Sequence, residues 1–426
     1  MNENEMNASQ RRAILVGARK YDNTSFDVSM QELRGLAEAM NLSVVSEVIQ
    51  NVISEDSATY IGSGKVEEIK GMLFTLDADL VIFNNTLTPS QLSNLSHDLE
   101  TEVLDRTNLI LNIFGERART REARMQVDYA KLKYMLPRLS GLRQNLSRQG
   151  GTGGSMSNKG SGETQIELDR RHIEKQMAEL RRGLEDLETS RATQRKKREN
   201  SGLPLVALVG YTNAGKSTMM NQMIDTFCPD EEKKVFVKNM LFATLDTTVR
   251  KITPEGRKDF LLSDTVGFIN DLPHDLVKAF RSTLEEALYS DLILEIIDAS
   301  DPNYQMHMEV TGRTLKELGA GHIPIIYVMN KADRTLPEIP LIHDDTIYLS
   351  AKSGAGLPEL LDMIEQKLYS GYFTCEMLLP YTDGAVENVL RENAQIIDSK
   401  YRDDGIYLKL SLSHELLQRY KKYVML

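Results

Sequence analysis

Hydrophobic and polar positions divide the 426-residue chain into four stretches with different patterns. In the first, apolar runs at residues 13–16, 44–49 and 80–83 predict strands, and helical spacing predicts the elements between them. Ser29 is expected to cap one helix. Thr88 and Pro89 begin another with a capping box. The alternation indicates a small α/β domain with a mainly parallel sheet over residues 1–114.

Residues 115–200 show the spacing of two long helices. The hydrophobic positions of the first helix, called its seam, are spaced by 4, 3, 4 and 3 residues; they are Met125, Tyr129, Leu132, Leu136 and Leu139. Pro137 is expected to end this helix near Leu136. The second seam steps by 7, 4, 3, 4 and 3 residues, through Ile166, Ile173, Met177, Leu180, Leu184 and Leu187. A capping box at residues 164–167 predicts its start, and the two seams predict an antiparallel coiled-coil hairpin.

The rest of the chain returns to alternating strands and helices. Apolar runs predict strands at residues 205–209, 259–263, 292–297, 323–329 and 346–349. They predict a domain with a mostly parallel sheet over residues 201–372. Residues 373–426 follow a strand, helix, strand, strand, helix order, which predicts a small α+β domain.

Composition is that of an ordinary folded protein, with 41% hydrophobic and 27% charged residues. Cys228 and Cys375, the only cysteines, are far apart in sequence and indicate neither a disulfide framework nor a cysteine metal site. The N-terminal residues lack the pattern of a signal peptide, and no apolar run reaches the ~18 residues of a membrane span. We therefore expect a cytoplasmic monomer.

Charge is distributed unevenly along the chain. The net charge is −11, yet residues 115–200 contain 20 Lys or Arg against 12 Asp or Glu, a local net of +8. A basic segment in an acidic protein is typical of a surface that binds a polyanion. A solvated helix pair of mixed charge would have the same composition, and both interpretations stay open here.

The predicted tip of the hairpin, residues 141–162, is rich in glycine and contains no acidic residue. Arg143, Arg148 and Lys159 make it basic. We interpret it as a finger that enters a polyanionic site, with a flexible linker as the alternative. Few aromatic residues accompany the cations, so contacts to phosphate and shape are favoured over stacked bases. The expected partner is structured RNA.

One segment carries a recognisable phosphate-binding motif. It follows the apolar run 205–209 and reads Gly210, Tyr211, Thr212, Asn213, Ala214, Gly215, Lys216, Ser217 and Thr218. The spacing fits a phosphate loop, in which backbone N–H groups surround the phosphates and the lysine neutralises them. The helix that follows adds its positive N-terminal end.

Three further motifs follow predicted strands in a fixed order. They comprise Asp264, Thr265, Val266 and Gly267, then Asn330, Lys331, Ala332 and Asp333, then Ser350, Ala351 and Lys352. Asp264 suits Mg²⁺, and the Gly267 N–H suits the γ-phosphate. A carboxylate in the second motif can accept the paired N–H donors of guanine, which adenine lacks. Together the motifs predict a GTP site.

A threonine between the first two motifs is needed to complete the Mg²⁺ shell. Thr244, Thr247 and Thr248 are all candidates on chemistry alone. Phe268 follows Gly267, where a water-orienting glutamine is common in small GTPases, so we expect slow hydrolysis without a partner. His274 is a further candidate, although a surface role is favoured.

These motifs resemble those of the HflX family of translation-factor-class GTPases. The resemblance lies in Gly-Tyr-Thr-Asn-Ala-Gly-Lys-Ser, Phe-Ala-Thr-Leu-Asp, Asp-Thr-Val-Gly-Phe and Asn-Lys-Ala-Asp. It continues in Tyr-Ile-Gly-Ser-Gly-Lys, Leu-Lys-Tyr-Met-Leu-Pro-Arg-Leu and Gly-Glu-Thr-Gln-Ile-Glu-Leu-Asp-Arg-Arg, and covers residues from about 10 to 370. One departure is Thr247, where the family usually has proline. The final 55 residues match less distinctively.

The resemblance implies a GTPase that binds the large ribosomal subunit and splits stalled or idle ribosomes, notably under stress. It places the glycine-rich tip near the peptidyl-transferase centre and assigns Thr244 to Mg²⁺. The expected Mg²⁺ ligands are then Ser217, Thr244 and Asp264, and the catalytic residues Lys216, Thr244 and Gly267. The predicted nucleotide site also includes Phe242, Ala243, Leu245 and Asp246.

Two other functions remain open from the sequence. A GTPase that assembles the large subunit would carry the same nucleotide motifs. An ATP-dependent remodeller of ribosomal RNA would use the N-terminal domain as its motor, since family members are said to bind ATP there.

Overall fold

The computed structural model describes residues 10–21, 25–139, 158–200, 203–228, 248–265, 267–269, 286–369 and 372–425. They form two compact units that divide between Glu188 and Thr189, with Gly267 grouped with the first unit. Among these residues, no helix is long and apolar enough to cross a membrane.

The first unit begins with a parallel sheet of four strands in the order β2-β1-β3-β4. The strands are β1 (Arg12–Lys20), β2 (Ser43–Val52), β3 (Leu80–Phe83) and β4 (Glu102–Asp105). The helices are α1 (Phe26–Ala39), α2 (Ser63–Thr75), α3 (Pro89–Leu99) and α4 (Arg106–Arg117). The first three strands agree with the sequence prediction. The sequence analysis missed β4, because four residues at a sheet edge carry little periodic signal.

Two helix N-termini in this unit were predicted from capping residues, and the structure confirms the prediction for α3 but not for α1. The capping box of α3 is confirmed, since the Thr88 side chain and Gln91 bond each other's backbone N–H groups. The predicted cap at Ser29 is wrong, because α1 begins at Phe26, whose buried ring anchors the first turn. Ser29 instead lies inside the helix, buried against Asn84, whose Nδ2 donates to Ser29 Oγ at 2.9 Å.

A buried ion pair joins α1 to α4. The Arg106 Nη2 donates to Glu32 Oε2 at 2.5 Å, and the two side chains are 4% and 9% exposed. Arg106 Nη1 donates to the Asn84 side-chain oxygen at 2.9 Å and to the Ser29 carbonyl at 3.1 Å. Because hydrogen bonds surround the guanidinium, its charge is tolerated in the interior.

The helical region continues with α5 (Arg121–Met135), a short 3-10 turn at Leu136–Arg138, and α6 (Asn158–Asn200). The predicted end of the first helix near Leu136 is confirmed. The predicted start of the second at residue 164 is wrong, because helical backbone already runs from Asn158. The 43 residues of α6 would extend about 64 Å at ~1.5 Å per residue.

The seams of the two helices are only partly buried. The buried residues of α5 are Ala123, Gln126, Val127 and Ala130, which form a different face from the predicted seam. A Cβ placed on Gly183 would lie 2.2 Å from Met125 Cε, so the helices pack closely at that point. The hairpin connection falls at residues 140–157, outside the described residues, and the antiparallel hairpin stays a prediction.

The second unit is built on a seven-stranded sheet in the order β10-β11-β9-β8-β5-β7-β6. The strands are β5 (Leu205–Gly210), β6 (Thr248–Ile252), β7 (Phe260–Asp264), β8 (Leu292–Asp298), β9 (Ile325–Asn330), β10 (Leu341–His343) and β11 (Thr346–Tyr348). The helices are α7 (Lys216–Phe227), α8 (Tyr304–Leu318) and α9 (Leu357–Leu368). All pairings are parallel except β6 with β7 and β10 with β11. The sequence analysis missed these two antiparallel edge strands.

An acidic side chain lies within the buried part of this sheet. Glu295, in the middle of β8, is 2% exposed and faces Val209 of β5 and Tyr327 of β9 in the register. Burial raises the pKa of Glu295 to about 8. This carboxyl is therefore mainly protonated at neutral pH.

The C-terminal part forms an antiparallel sheet in the order β12-β14-β13. Its elements are β12 (Tyr372–Leu379), α10 (Gly384–Asn393), β13 (Gln395–Arg402), β14 (Gly405–Ser413) and α11 (His414–Arg419). Its core includes Met377, Leu390 and Leu408. The predicted fold class is confirmed, from the small parallel α/β sheet through the helical region to the α+β C-terminus.

The buried pair yields a stability prediction. Arg106→Met should lower the free energy of unfolding of the first unit by about 3–5 kcal/mol, because Glu32 would keep its burial but lose the guanidinium. The measurement is hydrogen exchange of the β1 amides.

Arg34→Met is the matched control, on helix α1, which also carries Glu32. Arg34 pairs with Glu47 at 2.7 Å, but its side chain is 45% exposed. Its loss should therefore cost about 1 kcal/mol or less. Equal losses in the two variants would contradict the role given to burial.

Candidate functional site

The carboxyl ends of the central parallel strands meet at one edge of the second sheet. Strand β5 ends at Gly210, β7 at Asp264, β8 at Asp298 and β9 at Asn330. After β5 the chain forms β6 and β7 on one side of that strand, and it then forms β8 and β9 on the other side. The strand order therefore reverses at β5. Ligands of open α/β sheets bind at such a point. The predicted phosphate loop lies directly there.

Two glycines give this loop its shape. Gly210 has φ +140°, and a Cβ there would lie 2.2 Å from the Ile296 carbonyl oxygen. Gly215 has φ +105°, and a Cβ there would lie 2.3 Å from Asn330 Nδ2. Neither position accepts a side chain without moving the backbone. Helix α7 starts at the next residue, Lys216, so its N-terminus points its free N–H groups toward the loop.

Lys216 is buried within the loop that precedes it. Its Nζ donates to the Gly210 carbonyl at 2.9 Å and to the Tyr211 carbonyl at 2.8 Å. Burial lowers the pKa of Lys216 to about 8, although the nearby Asp264 carboxylate opposes the shift. The loop therefore holds an ammonium group that has lost its water and would gain from an anionic ligand.

Ser217 and Asp264 form a pair of oxygen donors next to this lysine. The Ser217 hydroxyl donates to Asp264 Oδ2 at 2.7 Å, and Asp264 is fully buried. Thr265 fixes the end of β7, because its hydroxyl donates to the Leu208 carbonyl at 2.7 Å. Hard oxygen donors of this kind are what Mg²⁺ prefers, so the pair fits that ion.

The Asn330 side chain connects two loops of the site. Its Nδ2 donates to the Ala214 carbonyl at 2.8 Å, and its Oδ1 accepts from the Ala351 N–H at 2.9 Å. The residue is 2% exposed. Asn330 thus fixes the phosphate loop relative to the segment Ser350–Ala351, in addition to any contact with a base.

Lys331 makes a second connection to the phosphate loop. It adopts φ +60°, and its Nζ donates to the Asn213 carbonyl at 2.9 Å and to Asp298 Oδ2 at 2.6 Å. Burial favours a raised pKa for Asp298, but the hydrogen bonds from Lys331 and Ser300 outweigh it, and the pKa is lowered. Asp298 is therefore a carboxylate that holds Lys331 in place.

The predicted base-reading residues lie beside these anchors. Asp333 is exposed in a 3-10 turn that begins at the buried Ala332, so its carboxylate is accessible to a ligand. Ser350 and Ala351 are buried, whereas Lys352 is exposed. The geometry brings the phosphate loop, Asp264 and both later motifs to the same sheet edge.

Sequence reasoning missed two contributions to this site. Asp298 follows a buried apolar strand, as Asp264 does, and that position was a usable signal. The second is a stacked pair of rings: Tyr211 of the phosphate loop lies on His307 of α8, with centroids 3.8 Å apart and planes 12° apart. No local pattern predicts this contact, because it depends on how α8 packs.

Several predicted residues lie outside the described part of the chain. They are Phe242, Ala243, Thr244, Leu245, Asp246, Thr247, Val266 and His274. Gly267 is described but belongs to the first unit, and its contact with a γ-phosphate stays a prediction. Phe268 is buried, with 5% exposure.

Comparison with known proteins agrees with this arrangement. A family model described as a 50S ribosome-binding GTPase matches residues 205–331. Models of the N-terminal and middle regions of a GTP-binding GTPase match residues 27–115 and 117–198.

Individual relatives extend the match over nearly the whole chain. GTPase HflX of Caldanaerobacter subterraneus subsp. tengcongensis is 40% identical over 420 residues, which cover 99% of this chain and 95% of that protein. GTPase HflX of Alkalihalophilus pseudofirmus is 44% identical over 321 residues, or 75% and 74% of the two chains. A solved GTP-binding protein from Sulfolobus solfataricus in complex with GDP is 24% identical, with a TM-score of 0.45 over 85% of this chain and 99% of that chain. The chain belongs to the HflX family of GTPases.

Proposed function

We propose that this GTPase binds the large ribosomal subunit and dissociates stalled or idle ribosomes in a cycle driven by GTP. The observation that carries the proposal is a phosphate loop within residues 205–331, which match a 50S ribosome-binding GTPase model, with the guanine motif at the end of that segment. Such a cycle would take place in the cytoplasm, on the ribosome.

The distribution of charge along the helical region supports an RNA partner and narrows the contact surface. Residues 167–191 contain six basic and seven acidic side chains. Several form ion pairs one helical turn apart, with N–O distances of 2.9 Å for Arg170–Glu174 and 3.1 Å for Arg181–Glu185. The body of α6 is thus the solvated mixed-charge helix that the sequence left open. The excess of positive charge lies elsewhere, in 115–139, in the tip and in 195–198.

Part of this positive charge lies in the tip, residues 141–162, which is the part of an extended finger that would contact RNA. Arg143 and Arg148 lie outside the described residues, and Lys159 lies in the first turn of α6. We propose that these cations contact ribosomal RNA phosphates, which predicts binding that weakens with salt.

The proposed tasks of the nucleotide site are shared among its described residues and Thr244, which lies outside them. Lys216 would neutralise the β- and γ-phosphates, and Asp333 would accept the two N–H donors of guanine. Ser217, Asp264 and Thr244 would hold Mg²⁺, which when bound neutralises phosphate charge. Asn330 and Lys331 hold the loop in the shape that the phosphates require.

Hydrolysis is expected to depend on the partner. Phe268 carries an apolar ring that cannot orient water, and it stands where many small GTPases have a water-orienting glutamine. We therefore propose that the isolated protein turns GTP over slowly and that the large subunit accelerates it.

The proposal predicts a stimulated reaction. Purified large subunits should raise GTP turnover about 10-fold or more, because a partner can complete a GTPase site and accelerate it by up to ~10⁵-fold. Replacing Arg143, Arg148 and Lys159 together by alanine should abolish most of the stimulation and leave turnover without subunits unchanged. Alanine at 159 is compatible with α6, which begins at Asn158.

Three outcomes would redirect the proposal. Rapid single turnover without ribosomes would contradict the dependence on a partner. Stronger stimulation by precursor particles than by mature subunits would favour an assembly factor. RNA unwinding that survives Lys216→Ala would favour an ATP-driven remodeller.

Guanine recognition yields a separate prediction. Asp333→Asn should weaken GTP binding about 10²-fold, because the acceptor loses its charge and one of its two oxygens becomes an NH₂ donor that faces the guanine amino group. The same change should improve binding of xanthosine triphosphate, whose C2 oxygen accepts from the new amide. Fluorescent nucleotide competition measures both, with exposed Asp344→Asn as the control. If both nucleotides weaken equally, Asp333 does not read the base.

The buried lysine yields a prediction about protons. Bound phosphates raise the pKa of Lys216 from about 8, so GDP binding at pH 8.5 should take up a proton and affinity should fall as pH rises past 8. Calorimetry in buffers of different ionisation enthalpy measures the uptake. Lys316→Ala, an exposed lysine of α8, should leave it unchanged. Heats at pH 8.5 that do not depend on the buffer would rule out this role of Lys216.

A further inference from the structure

The phosphate loop is held at most of its positions by contacts already described. Lys216 bonds the carbonyls of Gly210 and Tyr211, Lys331 bonds that of Asn213, and Asn330 bonds that of Ala214. These anchors all act on the backbone. The Tyr211 side chain is held differently, by the flat face of an imidazole.

The stacking geometry is close and nearly parallel. The ring centroids of Tyr211 and His307 lie 3.8 Å apart with an interplanar angle of 12°, and Tyr211 is 5% exposed. Aromatic pairs attract at such distances beyond the effect of buried area alone. A tyrosine ring in this setting cannot turn away without losing both the stack and its burial.

The position of His307 is in turn fixed by α8. His307 is the fourth residue of the helix, and its N–H donates to the Asn303 carbonyl at 3.2 Å. Its carbonyl accepts from the hydroxyl of Thr311, a residue that is 1% exposed, at 2.9 Å. Its Nδ1 lies 3.8 Å from Asp301 Oδ2. Helix α8 packs on β5, where the strand order reverses, and on the neighbouring strand β8.

The stack acts on the phosphate-binding lysine through one intermediate. Tyr211, whose ring stacks on His307, also accepts a hydrogen bond at its backbone carbonyl from Lys216 Nζ, at 2.8 Å. A shift of Tyr211 would move one of the two acceptors that orient the ammonium. The imidazole thus constrains Lys216 although it does not touch it.

We infer that His307 is a positioning residue for nucleotide binding: its ring holds Tyr211, and through the Tyr211 carbonyl it holds Lys216 in place for the phosphates. The inference rests on GTP binding at this loop and is independent of ribosome binding. The stack shapes the loop before the reaction begins, so its loss affects substrate binding more than the chemical step.

The experiment compares two replacements of His307. His307→Leu keeps a side chain of similar bulk but removes the flat ring, and should raise the KM for GTP and speed release of fluorescent GDP by roughly three- to tenfold. Its kcat should stay within about twofold. His307→Phe restores a flat ring without the nitrogens and should bring both quantities back to within about twofold of the parent.

Controls separate positioning from general damage. His322→Leu replaces an exposed histidine of the same unit, just beyond α8, and should leave KM and GDP release unchanged. Tyr211→Leu combined with His307→Leu should cost no more than Tyr211→Leu alone, because the two rings act as one contact. All readouts use the isolated full chain, so a failure of ribosome splitting would not affect them.

Specific results would overturn the inference. Equal losses in His307→Leu and His307→Phe would show that the flat ring is not what holds the loop. Unchanged KM in His307→Leu would show that Tyr211 needs no support. Additive effects in the double variant, or a fall in kcat with KM constant, would likewise contradict it.

Discussion

The nucleotide site depends on one buried amide. Asn330 bonds the Ala214 carbonyl with its nitrogen and the Ala351 N–H with its oxygen, so a single side chain fixes two loops from different strands. The contact requires glycine at 215, because a Cβ there would occupy the place of the amide nitrogen. Asn330 is the last residue of β9, so the sheet itself sets where the loops meet. The shape of the site is therefore built into the parallel strand ends.

Around this amide the protein arranges charges that have little access to water. Lys216 is an ammonium with a lowered pKa, Asp264 is a fully buried carboxylate, and Asp298 pairs with Lys331. In a medium of low polarity each interaction is stronger than it would be at the surface, and each unmet charge is more costly. The free protein thus keeps its cations on backbone carbonyls and its carboxylates on hydroxyl and ammonium donors. The negatively charged oxygens of a triphosphate would compete with the neutral backbone carbonyls for these lysines.

The sequence predicted the fold class and the motifs of the site because both are written in local patterns. Short apolar runs marked the central strands, and the spacing from Gly210 to Ser217 marked the phosphate loop. What it could not predict depends on packing between distant segments. Edge strands such as β4 and β10 are too short to show periodicity. The stack of Tyr211 on His307 joins residues almost a hundred positions apart, and no spacing rule connects them. Ser29 was misread because a buried Phe26 outweighed a favourable cap.

Glu295 has a consequence for how the second unit responds to acid and base. Burial raises the pKa of Glu295 from 4.5 to about 8, so between these values the folded state binds a proton that the unfolded state releases, and stability falls as pH rises. Lys216 acts between pH 8 and 10.5, because burial lowers its pKa from 10.5 to about 8. In that range the unfolded state binds more protons than the folded state, so stability rises with pH. The summed contribution of these two groups therefore passes through a minimum near pH 8. Mild acidification strengthens the same sheet that carries the phosphate loop.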